Sequence, residues 1–170
     1  SPGRDRSARS SYHHFLVENG FRPNEQNFFG RYEAAKLREQ YSKPAFLARN
    51  TSRFIRKNQK APFILYVNFL EPHMPFLGPR DEQYDPSRVP LPANFYDEPN
   101  ESHPVKYRVL REQYYLSGHS GGLSLKTEYD WRRLIANYWG LCSLIDTHIG
   151  TILDTLKETG LDKNTIVVFT

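Results

Sequence analysis

The fold turns on residues 62–76, PFILYVNFLEPHMPF: a near-continuous apolar and aromatic run that ends in Glu-Pro-His-Met-Pro. A run of this length between prolines reads as a strand over Phe63–Phe69 buried on both faces, as in a parallel sheet. His73 follows four residues later, at the carboxyl edge where open α/β sheets bind their ligands. Pro72 fixes its own φ, and Pro75 restricts Met74 to extended backbone. The sequence therefore holds a histidine in a stiff loop, positioned before any substrate arrives. Near neutral pH such a residue can donate a hydrogen bond to an anion or a proton to a leaving group. A packed, structural histidine is the competing reading of the same spacing.

Outward from that strand, the chain alternates helix and strand signals. Upstream, Pro44 suits a first helical turn, and Phe46, Leu47, Thr51, Phe54 and Ile55 recur at helical spacing up to a basic end, RKNQK. A shorter helix is expected over Ser11 to Asn19, closed by Gly20. His13 and His14 lie on it. Neighbours on a helix point about 100° apart, so the pair is read as exposed polar residues rather than joint metal ligands.

Downstream, Asp130 is a candidate N-cap, with Tyr129 and Leu134 at the spacing of a hydrophobic staple. Leu134, Tyr138, Leu141, Ile145, Ile149, Ile152 and Leu156 then step by four or three, as a core-facing stripe does. Gly140 and Gly150 inside this helix point to close packing. Gly160 ends it, and Thr165–Thr170 reads as a second buried strand. On this pattern the two strands are parallel members of one sheet with the long helix on its face, an α/β fold.

Eight of the twelve prolines fall within residues 71–104, with Phe76, Tyr84, Phe95 and Tyr96 available as anchors. We expect an ordered surface excursion there, since loops this long are usually functional or disordered. SGHSGG, residues 117–122, is a second flexible stretch, an insertion or lid in which His119 is expected to be solvated. SPGRDRSARSS, residues 1–11, reads as an internal loop.

Net charge is +4, but unevenly spread. Residues 1–60 hold 13 Lys and Arg against 5 Asp and Glu, and residues 61–170 hold 10 against 14. The basic residues are scattered and carry no nucleic-acid-binding motif, so a solvated face is expected rather than a nucleic-acid site. No stretch approaches the roughly 20 apolar residues of a membrane span. The single cysteine, Cys142, flanks the helical stripe and reads as a small core residue, with no internal disulfide to make. Asp146, between Ile145 and Ile149, could cap a loop or pair with an arginine.

Four runs carry a family resemblance. FLARNTSRFIRKNQKAPFILYVNFLEPHMPF (46–76), then GPRDEQYDP (78–86) and VPLPANF (89–95), closely resembles the middle of type I sulfatases of the alkaline phosphatase-like superfamily. YWGLCSLIDTHIGTILDTLKETGLDKNTIVVFT (138–170) resembles the helix and strand leading to their next metal-binding motif. Taken jointly and in this order the match is specific, whereas Pro-His-x-Pro alone would be weak.

The resemblance implies an alkaline phosphatase-like α/β fold, a parallel or mixed sheet flanked by helices. Residues 1–170 would be the central part of one sulfatase catalytic domain. It implies hydrolysis of a sulfate monoester, small-molecule or carbohydrate, with His73 contacting the ester and assisting the leaving group. In the family a formylglycine made from Cys/Ser-x-Pro-x-Arg is the nucleophile. Cys142 is followed by Ser-Leu-Ile-Asp and does not fit that motif, and neither the Asp-Asp pair that binds Ca2+ nor the downstream lysine is found. Nucleophile and metal ligands are thus expected outside these residues. A phosphonate or phosphate ester hydrolase of the superfamily and a non-catalytic polyanion-binding relative are the alternatives. Relatives are commonly periplasmic, secreted or lysosomal, and the sequence does not choose among these.

Overall fold

Thr127 starts the longest element. Its hydroxyl accepts a hydrogen bond from the Asp130 amide (3.2 Å), and the Asp130 carboxylate accepts one from the Thr127 amide (2.9 Å). This reciprocal capping box opens a 31-residue helix, Glu128–Glu158, about 46 Å long at 1.5 Å per residue. Asp130 is therefore the third helical residue and not the N-cap expected from sequence; threonine three residues earlier satisfies the same amides. Thr127→Ala should cost about 1 kcal/mol in chemical denaturation of the complete protein, the usual value of a lost cap. Gly160 follows the helix at φ +70°, in the left-handed region glycine favours.

The computed structural model describes residues 8–119 and 123–170. Five α-helices occur among them: α1 (Ser11–Glu18), α2 (Arg31–Ala35), α3 (Lys43–Lys57), α4 (Val105–Ser117) and α5 (Glu128–Glu158). Most of the internal loop expected over residues 1–11, and residues 120–122 of the SGHSGG stretch, lie outside the described residues. α1 and α3 fall where their patterns put them. Gly20 closes α1 at φ +84°, and Ser42 caps α3 by accepting from the Ala45 amide (3.3 Å). α2 and α4 carry no strong sequence signal, and neither buries a residue.

α3 packs against α5 more extensively than any other pair of elements does. α3 presents Ala45, Ala48, Ser52 and Ile55, all buried, whereas Phe54, expected in the stripe, is exposed. Small residues win this face because they let two helix backbones approach closely. Inside the contact the Thr155 hydroxyl donates to Ser52 Oγ (2.8 Å). On α5 the buried residues are Ala136, Asn137, Gly140, Leu141, Leu144, Thr155 and Leu156. Only Leu141 and Leu156 of the expected stripe are fully buried; Tyr138 is exposed and Leu134, Ile145, Ile149 and Ile152 are half-buried.

The two expected strands differ most from expectation. Residues 62–70 and 165–170 are irregular stretches that join no ladder; the one β-bridge among the described residues joins His119 to Leu123. Nor are they buried on both faces: Ile64 is 100% exposed and Phe169 82%. Phe63, Val67 and Phe69 are half-buried and Leu65 is 38% exposed, while Ile64 and Tyr66 are 100% and 84% exposed, so accessibility rises and falls with period two. Phe63 meets the Phe54 ring of α3 edge-on (5.5 Å between centroids). One side of the segment rests on helix, and no described strand runs beside it.

Candidate active site: the His73 loop

Beyond Phe69 the chain turns sharply, with the His73 amide donating to the Leu70 carbonyl (3.1 Å). The Glu71–Pro72 and Met74–Pro75 peptide bonds are both cis. His73 is exposed, and its Nδ1 lies 2.9 Å from the Met74 carbonyl oxygen. A carbonyl only accepts, so Nδ1 carries the hydrogen in that contact. Nε2 is left to act outward, as a lone pair on the neutral ring or as a second N–H donor on imidazolium.

Residues 76–84 are moored to α5 at Phe76, Arg80 and Tyr84. Asn137, 2% exposed, donates from Nδ2 to the Phe76 carbonyl (3.0 Å). Gly140 lets the backbone of Arg80 in: a Cβ there would lie 2.5 Å from the Arg80 carbonyl oxygen. Arg80 donates to the Ser143 carbonyl (2.8 Å) and the Thr147 hydroxyl (2.9 Å), and forks onto both oxygens of Glu39 (2.6 and 2.7 Å). Tyr84 shares a 2.6 Å hydrogen bond with Ser143 Oγ and sets its ring edge-on to Trp139. Residues 137, 140, 143/144 and 147 recur at one face of a helix. That polar face holds the loop.

Further along, the proline-rich excursion is anchored by the expected aromatics. Phe76 stacks on His119 (5.1 Å, 8° between planes) and meets Tyr138. Phe95 meets Trp131, and the Tyr96 hydroxyl donates to Glu128 (2.7 Å). His119 is therefore not the solvated loop histidine expected: it is half-buried between Phe76 and Tyr114, and burial lowers its pKa.

A second polar cluster lies beside the moored loop. His148 Nε2 is buried without a hydrogen-bond partner among the described residues, 3.7 Å from Glu39 Oε1. Burial is the main cause of its lowered pKa, opposed by Glu39 and reinforced by Arg80 and Arg49. Arg80 holds the Glu39 carboxyl below its ordinary value. Glu71 Oε2 is likewise buried and unpartnered among the described residues. Burial, then the charge of Glu71, raises the pKa of Tyr12, whose hydroxyl donates to the Tyr41 carbonyl (2.8 Å).

A histidine with a depressed native pKa takes up its proton more readily when unfolded, so its contribution to stability is complete above about 6.5 and is lost as pH falls toward the native value. The thermal stability of the complete protein should accordingly fall from pH 7 to 5, and His148→Gln should flatten that slope. An unchanged slope in the variant would place the titration elsewhere. Glu39 acts in a lower window, as pH falls through its depressed pKa, so the two are separable.

Other residues singled out in the sequence lie away from this loop or play other parts. His13 is buried, not exposed, and packs on Phe29 (5.2 Å); His14 is exposed. Cys142 is exposed rather than core, because it falls on the side of α5 opposite the moored loop and α3. Asp146 is exposed and neither caps nor pairs with a described residue. Among the described residues no three His, Cys, Asp or Glu side chains converge as a metal site. Nothing in the sequence marks Asn137 or Arg80 as functional; a polar residue beside an apolar stripe carries no sign of which side it faces.

The extended segment, the His73 loop, the excursion and the long helix all fall within residues that match a known family. The sequence profile of the Sulfatase family matches residues 5–170. This chain belongs to the sulfatase family. The sulfatase chain is 30% identical over 125 residues to mouse (Mus musculus) iduronate 2-sulfatase, covering 67% of this chain and 22% of that protein. It is 29% identical over 119 residues to a sulfatase of Formosa agariphila, covering 66% and 22%. A multifunctional alkaline phosphatase superfamily protein, PehA of Trinickia caryophylli, is 26% identical over 143 residues, 80% of this chain and 28% of that protein. The chain thus spans about a quarter of the length of these curated relatives.

Proposed function

We propose that these residues are the central part of a sulfatase catalytic domain and that the complete protein hydrolyses a sulfate monoester, with His73 as the group that meets the ester. The observation that carries this is His73 itself: exposed, held by a carbonyl at Nδ1, and presenting Nε2 outward from a loop moored to α5. As the ester S–O bond breaks, the departing oxygen takes the electron pair, and imidazolium Nε2–H can give it a proton. Before that step the same N–H is a donor to the ester oxygens. Sulfatases generally use Ca2+ and formylglycine; the sequence holds no Cys/Ser-x-Pro-x-Arg precursor, and the described residues form no ligand cluster, so both belong to other parts of the complete protein in this reading. The two extended segments are proposed as strands of the family's sheet, their neighbours supplied elsewhere in the complete protein.

PehA favours a second reading, a phosphonate or phosphate ester hydrolase on the same scaffold. Comparing kcat/KM of the complete protein for an aryl sulfate and the matching aryl phosphonate decides between them. Preference for the sulfate supports the first reading, and preference for the phosphonate overturns it. A polyanion-binding role is less favoured. The arginines lining the groove of about 350 Å³ between α3 and α5 are already engaged: Arg49 with the Gln40 carbonyl, Arg53 with Asn50 and Arg56 with Glu158.

A further inference from the structure

We propose that Asn137 is a positioning residue for His73, acting through the backbone of the loop and touching no substrate. This rests on the reading of His73 above. Phe76 is the third residue after His73, and its carbonyl accepts a hydrogen bond from the side-chain amide of Asn137, a buried residue. Between the two residues lie only Met74 and Pro75, and proline leaves the backbone little freedom there. Fixing Phe76 to α5 therefore fixes the direction from which the chain delivers His73. Arg80 and Tyr84 fasten the following residues to the same helix face through Ser143 and Thr147, so the loop cannot pivot about the Asn137 contact alone.

A buried asparagine has no other partner among the described residues to explain its presence on this face, and leucine or alanine would fill a helical core more simply. The chemistry needs the loop held because a proton donor displaced by about 1 Å can lose on the order of 100-fold in rate.

The test is a double-mutant cycle in the complete protein, read with aryl sulfates of different leaving-group pKa. Asn137→Ala should lower kcat by about 10- to 30-fold when His73 is present and by less than about 2-fold in the His73→Ala background, because two residues acting through one step are not additive. The loss should also grow as the leaving group becomes more basic, following the dependence seen in His73→Ala. A merely structural asparagine would lower every substrate by one factor in both backgrounds, and that result overturns the proposal. If Asn137→Ala does not fold, Tyr84→Phe loosens the same loop while keeping its ring against Trp139. Its smaller loss, about 3-fold, should likewise vanish in His73→Ala; equal losses in both backgrounds overturn the proposal. His73→Ala with wild-type turnover instead overturns the reading of His73, an outcome distinct from both.

Discussion

Replacing His73 by alanine in the complete protein should lower turnover of an aryl sulfate by about 100-fold or more, the lower end of what a positioned proton donor contributes. That is about 2.7 kcal/mol of barrier at 1.36 kcal/mol per tenfold. The loss should be smallest for the most acidic leaving groups, which depart without a proton. Stability should barely move, since the side chain is exposed and its one hydrogen bond goes to the carbonyl of the next residue. Steady-state rates beside a denaturation curve give both readouts from one preparation. Wild-type turnover would leave His73 a structural residue.

The second large effect is a reversal of sign between two identical substitutions on one helix. Glycine inside a helix is usually about 1 kcal/mol worse than alanine. At Gly150 an added Cβ meets nothing within 4 Å, so Gly150→Ala should stabilise by roughly that amount. At Gly140 the same methyl would lie 2.5 Å from the Arg80 carbonyl oxygen and 3.0 Å from its carbonyl carbon. Backbone cannot swing aside as a flexible side chain can, so the loop must lift or the helix must bend. Gly140→Ala should then cost about 2 to 3 kcal/mol, as overpacking does, and should depress turnover as well, because the loop that lifts is the one carrying His73. Two stabilising substitutions would show that Arg80 does not sit on the helix.

Sequence and structure agree best where signals are local. Gly20 and Gly160 close their helices, Pro44 sits in the first turn of α3, and Phe76, Tyr84, Phe95 and Tyr96 anchor the excursion. Disagreement begins where a helix must choose a face. Counting large apolar residues picks out Leu134, Tyr138 and Ile145, yet close contact selects Ala45, Ala48, Ala136 and Gly140, whose smallness matters more than their hydropathy. Gly150, which shares the pattern of Gly140, faces open space and shows that a helical glycine alone does not report an approach. The stiff loop around His73 is legible because prolines mark it, whereas the places of Asn137 and Arg80 depend on contacts made across 41 to 67 residues of chain, and that of His119 on its stacking with the distant Phe76. The segments at 63–69 and 165–170 have the composition of strands, but a strand is completed by its neighbours, and composition does not say where those lie.

Holding one loop by residues spaced along a single helix also limits how the chain length can change. Asn137, Gly140, Ser143 and Thr147 meet the loop only because their spacing keeps them on one side of α5. Inserting or deleting one residue between Asn137 and Ser143 would turn everything beyond it by about 100°, carrying Ser143 and Thr147 away from Arg80 and, farther on, Thr155 away from Ser52. Along the excursion, residues 97–104 are exposed or nearly so and carry no such register, so length variation there leaves the loop's attachment to α5 intact. In this chain the rim can lengthen, whereas the count of residues along α5 has to be kept.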